Sequence, residues 1–239
     1  MRVHDLTEPT PDPADDGAAA EPAGATGDRL VQAAEHLFAL HGIDGVSLRE
    51  SNRAAGARNA SALQYHFGDR DGLLKAVMVK HGREVEARRH AMLDAYDAEG
   101  ATDVRALAGA LVRPMAAKLT DLDGGPQYLQ ILADLMNRPR PPFDPAAPDD
   151  PTSSIERWRR LVGAVLDDDA ARLHRRFAAI RFAVVEMARR ARSGPRQDER
   201  LFTSDLVDLV AGALSAPVSD ETRRLAAARP RARSRGARR

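Results

Sequence analysis

The sequence contains no cysteine. That excludes disulfides, thiolate metal sites and cysteine nucleophiles together. Aromatic residues make up only 4% of the chain against 43% hydrophobic residues in all. The expected core is therefore helical, built on Leu, Ala and Val, rather than an aromatic-rich sandwich. No apolar run approaches the roughly 18–20 residues that span a bilayer. No basic-then-apolar leader opens the chain. A soluble, cytoplasmic protein with no membrane partner is expected. Lysine is scarce, at positions 75, 80 and 118. Arginine carries nearly all the positive charge, and with abundant alanine this is the composition of a GC-rich coding sequence.

Net charge is +1 at pH 7, too little for a strong nonspecific binder of nucleic acid. Its distribution is uneven. Residues 1–26 hold Asp5, Glu8, Asp12, Asp15, Asp16 and Glu21 against Arg2. Rich in Pro, Ala and Gly without a period, they read as a disordered arm. Residues 217–239 carry eight arginines against Asp220 and Glu221, and read as a disordered Arg-rich tail. Between the two, apolar residues recur at helical spacing and no strand run occurs. An all-α chain follows.

The first helix, about 28–41, places Leu30, Ala33, Ala34, Leu37, Phe38 and His41 on one face. Ser47 precedes Leu48, with Glu50 three places after the serine, which is a capping-box start. A short helix then runs to Ala54 or Ala55. Gly56 can take the left-handed conformation that turns the chain. Asn59 or Ser61 can cap a second short helix through Ala62, Leu63 and Gln64. Two short helices joined by a glycine turn make a helix-turn-helix, whose second helix can enter the major groove. Ser51 faces the small core of this unit. Its hydroxyl costs roughly 1–3 kcal/mol there unless it finds a partner, such as the carbonyl one turn back.

Several anchors in this region occur in order: the first helix, ending in Leu40-His41-Gly42-Ile43-Asp44-Gly45-Val46-Ser47-Leu48-Arg49-Glu50; Ala54-Ala55-Gly56; Tyr65-His66-Phe67-Gly68; and Asp69-Arg70-Asp71-Gly72-Leu73-Leu74, which opens a long helix. On these residues the segment 27–80 resembles the DNA-binding domain of the TetR family of bacterial transcriptional regulators. Two departures stand out. Arg58-Asn59 lengthens the turn by one residue relative to the commonest family pattern. Ser51 also stands where the family usually has a large aliphatic residue. The resemblance implies a three-helix DNA-binding domain over 27–75 and a helical ligand-binding and dimerisation domain over 76–216.

Within the motif, Arg58, Asn59, Ser61 and Gln64 are candidates for base edges. Asn and Gln can pair bidentately with adenine, and Arg with guanine. Ser47, Tyr65, His66 and Arg70 suit phosphates, aided by the free amides at the start of the helix near Arg70. Further helices are expected at about 70–96, 102–119 (kinked at Pro114), 125–137, 153–167, 169–192 and 198–215, with an extended loop over 138–151. Met92, Tyr96, Met115, Tyr128, Met136, Trp158 and Phe177 fit either core filling or the ligand cavity that the resemblance implies. Leu173, Ile180, Val184, Leu206, Leu209, Val210 and Ala213 form apolar stripes on the last two helices. Paired across a two-fold axis, the stripes would make a four-helix dimer interface.

Histidines are scattered. Glu86 and His90 share a helix face at i, i+4, but no second histidine joins them, so no metal site is expected. Asp167-Asp168-Asp169 reads as a solvated helix boundary. No Gly-rich phosphate loop, nucleophile elbow or zinc motif occurs, so neither catalysis nor a cofactor is expected. The leading reading is a ligand-responsive repressor, a homodimer on a palindromic DNA operator, with a small-molecule effector and a place on the bacterial nucleoid when bound. The alternative is a helical protein-binding or enzymatic module that keeps the three-helix unit as a scaffold.

Overall fold

The computed structural model describes residues 23–56, 62–100, 102–140, 152–194, 196 and 198–228. Its helices are α1 (Ala23–His41), α2 (Leu48–Ala54), α3 (Ala62–Phe67), α4 (Arg70–Glu99), α5 (Val104–Ala116), α6 (Gly125–Asn137), α7 (Ser154–Val165), α8 (Asp168–Arg172), α9 (Arg175–Arg192), α10 (Arg200–Ser215) and α11 (Asp220–Ala228), with one 3-10 turn at Ala117–Leu119. No strand occurs among the described residues. The fold is all-α, with an amino-terminal helix-turn-helix unit and a larger helical domain behind it.

In the amino-terminal unit, Leu30, Ala34 and Phe38 of α1 meet Ile43, Val46, Leu63, Leu73 and Leu74, all nearly inaccessible to solvent. His41, expected on the buried face of α1, is exposed, while Glu35 lies inside. The capping box forms as its residues dictate. Ser47 Oγ accepts the Glu50 amide at 3.2 Å, and Glu50 Oε2 accepts the Ser47 amide at 2.9 Å. That amide and the serine hydroxyl hold the Glu50 carboxyl below the usual carboxylate range. The buried Ser51 hydroxyl donates to the Ser47 carbonyl one turn back, at 3.3 Å. Gly56 follows in the left-handed region, at φ +63°. Asp69 caps α4 by accepting the Gly72 amide at 2.8 Å.

The 30-residue α4 belongs to both units. Its first turns complete the helix-turn-helix core. Its later stripe, Val85, Leu93 and Tyr96, enters the main core. Helix α5 runs through the buried Pro114 and tightens into the 3-10 turn. In the larger domain α9 packs on α6, α10 on α5, and α5 on α4. The indole of Trp158 on α7 is fully buried and donates to the Leu107 carbonyl of α5 at 2.7 Å. No single helix among the described residues is long and apolar enough to cross a membrane.

Two expectations are corrected. The helix expected over 169–192 is broken. His174 adopts φ 56°, the left-handed region, and separates α8 from α9. Asp167 caps α8 by accepting the Ala170 amide at 2.7 Å, so part of the aspartate run is a helix cap. Residues 217–228 are also not a structureless tail. Helix α11 forms there, and Arg223 pairs with Asp169 at 3.0 Å and Asp220 at 3.0 Å. The acidic arm over 1–22, most of the loop over 138–151 and the arginines from Arg229 onward lie outside the described residues.

Candidate nucleic-acid interface and internal cavity

Helix α3 turns Leu63 into the core and its other side outward. Gln64 is exposed, and Tyr65 is 81% exposed. The half-buried His66 ring meets Tyr65 edge-on with centroids 5.1 Å apart. Ser47 is exposed, its hydroxyl engaged in the capping box. Half-buried Arg70 stands at the start of α4, with Nη2 3.7 Å from Asp44. Arg58, Asn59 and Ser61 lie outside the described residues. Gln64, Tyr65 and His66 thus sit on α3, the second helix of the motif, Arg70 opens α4 just after it, and Ser47 caps α2, the first. A tyrosine held this far into solvent contributes little to the core, and its phenol is available to a partner.

The helix-turn-helix is tied to the larger domain at two places. The loop after α1 is gripped by the end of α6. Arg138 donates from Nη1 to Asp44 Oδ1 at 3.1 Å and from Nη2 to Asp44 Oδ2 at 2.7 Å. Asp134 accepts the Ile43 amide at 3.1 Å. Bidentate guanidinium–carboxylate pairing of this kind fixes orientation as well as distance. The bond to Arg138 holds the Asp44 carboxyl below its ordinary value. At the second place, Glu35 of α1 is buried against α4. It accepts from His81 Nε2 at 2.9 Å and from Lys80 Nζ at 3.1 Å. Lys80 also reaches Asp123 at 2.9 Å, while Lys118 bridges Glu84 and Asp121. The His81 ring lies 5.1 Å from that of Tyr128 on α6.

Between α4, α5, α6, α7 and α9 lies a cavity of about 590 Å³. Three of the residues expected there line it: Met115, Tyr128 and Met136. Four do not. Trp158 and Tyr96 are consumed by the core, and Met92 packs against it. Phe177 is on the surface, 40% exposed, with the guanidinium of Arg159 5.0 Å and that of Arg176 5.2 Å from its ring centroid. Sequence reasoning missed Lys75, Arg83 and Arg89, and considered Glu86 and His90 only as a metal pair; all five are on α4 and line the cavity. Arg89 is 4% exposed. It donates from Nη1 to Ser154 Oγ at 2.8 Å and stands 3.4 Å from Glu86. Burial pushes the Tyr128 hydroxyl up to about 12, so it remains a neutral donor. Glu86 and His90 approach only to 4.0 Å, and no three metal-ligating side chains converge among the described residues.

The expected dimer stripes divide. Ile180, Val184, Leu206 and Val210 are at most 4% exposed, buried in the chain's own core. They cannot also face a second copy. Packing turns them inward at α5 and α6, a direction that helical periodicity alone does not specify. Leu173, at the end of α8, and Leu209 and Ala213, on α10, do reach the surface, and Phe182 and Val185 of α9 and Leu201 of α10 are also exposed.

Residues 30–77 match the family model described as bacterial regulatory proteins, tetR family. No curated protein matches the chain. A crystal structure of a HlyIIR mutant with a segment substituted by alanine is similar to it at 14% identity and a TM-score of 0.53, covering 83% of this chain and 100% of that one. A gamma-butyrolactone receptor, an ArpA-like protein, is 20% identical over 80% of this chain and 98% of that one, with a TM-score of 0.44. The amino-terminal domain of this chain is that of the tetR family of bacterial regulatory proteins.

Proposed function

We propose that the chain is a cytoplasmic, ligand-responsive transcriptional repressor that binds a palindromic operator as a homodimer and catalyses no reaction. The observation that carries the reading is the outward face of α3, with Gln64 and the 81% exposed Tyr65 on a domain of the tetR family. Gln64, with Arg58, Asn59 and Ser61, reads base edges. Tyr65, His66, Ser47 and Arg70 contact phosphates. One copy supplies one reading helix, so two half-sites about 34–36 Å apart need a second copy. The exposed apolar residues of α9 and α10, Phe182, Val185, Leu201 and Leu209, supply that contact.

Ligand response is supported by the position of α6. Tyr128, Leu132 and Met136 line the cavity, while Asp134 and Arg138, at the end of the same helix, hold the loop after α1. A molecule that displaces α6 moves the grip on the reading head. It shifts the population only if it binds the two positions with different affinity. The test is selection of bound duplexes from a random pool, followed by titration of the enriched sequence against random DNA. A two-fold symmetric site bound far more tightly than random DNA is expected. Recovery of unrelated sequences would reject the proposal.

A further inference from the structure

We infer that the cavity between α4 and α6 takes an amphipathic organic anion, a carboxylate on a hydrocarbon or aryl body, with its head on Arg89. The inference rests on the ligand-responsive reading and names the chemical class of the effector.

Arg89 lines the cavity together with Leu111, Met115, Ile180 and Val184. Burying a guanidinium among such residues is costly without a counter-charge. Arg89 has only part of the counter-charge it needs. Glu86 Oε1 stands 3.4 Å from Nη1, while its other oxygen accepts the Ser154 amide at 2.6 Å. The Arg89 Nε is buried and has no hydrogen-bond partner. Desolvation lowers the guanidinium from its ordinary value, the direction expected of a cation short of an anion.

The rest of the wall agrees. Lys75 and Arg83, both exposed, line the same cavity, so its wall carries three cations and one carboxylate, that of Glu86. Neither Lys75 nor Arg83 pairs with a carboxylate among the described residues. Met115, Leu132, Met136, Ile180 and Val184 add an apolar surface. A volume of about 590 Å³ suits a drug-sized molecule. A carboxylate accepts two parallel guanidinium bonds. An alcohol of the same body cannot supply the charge, and a quaternary ammonium is repelled.

The experiment is calorimetric titration of the full chain with decanoate, dodecanoate and 4-phenylbutyrate, each beside its alcohol, and with decyltrimethylammonium. At least one acid should bind about ten-fold or more tighter than its alcohol, and the ammonium should bind weakest. Arg89→Met should abolish that preference while the alcohol still binds. Arg83→Gln, at an exposed position, should reduce it in part, and it serves if the Arg89 variant does not fold. Equal binding of acid and alcohol, no binding by any acid, or an undiminished preference in a folded Arg89→Met would each overturn the inference. Operator release is read separately. Acid binding through Arg89 without release keeps the ligand class and rejects the repressor reading. Release by the alcohols as readily as by the acids does the reverse.

Discussion

His81 Nε2 lies 2.9 Å from Glu35 Oε1, and both side chains are 2% exposed. The bond crosses from α4 to α1, and Lys80 completes it at 3.1 Å. Gly124 closes over it at φ +87°, where an added Cβ would stand 2.2 Å from Glu35 Oε2. Glu35→Ala should therefore cost about 1–3 kcal/mol by leaving buried donors unmatched. Gly124→Ala should also destabilise, because the methyl group displaces Glu35 and the backbone resists a side chain there. Urea midpoints measure both. Unchanged midpoints would mean that the buried carboxylate contributes nothing.

Gln64 and Tyr65 lie outside the core, so their alanine variants should keep wild-type stability. Tyr65→Ala should weaken binding to all duplexes alike. Gln64→Ala should lose about 1–3 kcal/mol on the selected site and relax one base position per half-site. Binding should also fall as salt rises, through counterion release. Equal losses on selected and random DNA would remove Gln64 as a base reader.

Leu206 and Leu209 separate folding from assembly. Leu206 is 2% exposed and Leu209 is 50% exposed. Leu206→Asp should cost about 3–5 kcal/mol within the single chain. Leu209→Asp should leave the fold intact and shift the protein toward monomer in light scattering. A Leu209→Asp protein that remains dimeric would place the interface elsewhere.

The Asp44–Arg138 clamp should give way in acid. Its carboxyl is held below the ordinary 3.8 by the Arg138 guanidinium. A group depressed in the folded state stabilises fully above its unfolded value, and the contribution is lost as pH falls through the folded one. The thermal midpoint of the wild type should therefore approach that of Asp44→Asn only as pH drops below about 4. The pair is exposed, so added salt should narrow the difference at neutral pH. A gap between the two proteins that persists at low pH would exclude the ion pair as its cause.

The helix-turn-helix is legible in the sequence because its information is local. A serine with a glutamate three places on, a turn glycine and a capping aspartate each act within one turn of chain. The breaks are harder to see. Nothing in the local pattern around His174 distinguishes it from a helical residue, yet its left-handed backbone divides α8 from α9. The stripes of α9 and α10 carry periodicity but not direction, so the residues that enter the core and those that reach the surface are not told apart. Helix α4 does hold a readable signal that pattern alone passes over. Its buried stripe includes Leu74, Val77, Met78, His81, Val85, Arg89, Leu93 and Tyr96. His81 and Arg89 are the charged or titratable nitrogen-bearing members of that row, one at the domain junction and one at the cavity.

The burial of Trp158 has a practical consequence. It is the only tryptophan in the chain, fully inaccessible and bonded to α5. Its fluorescence therefore reports the larger domain and is silent about α1, α2 and α3. Circular dichroism sees the helices of both. Melting curves from the two methods coincide when the units unfold as one. Any separation between them measures how far the contacts of Glu35 and Asp44 fall short of joining the helix-turn-helix unit and the larger domain into a single cooperative body.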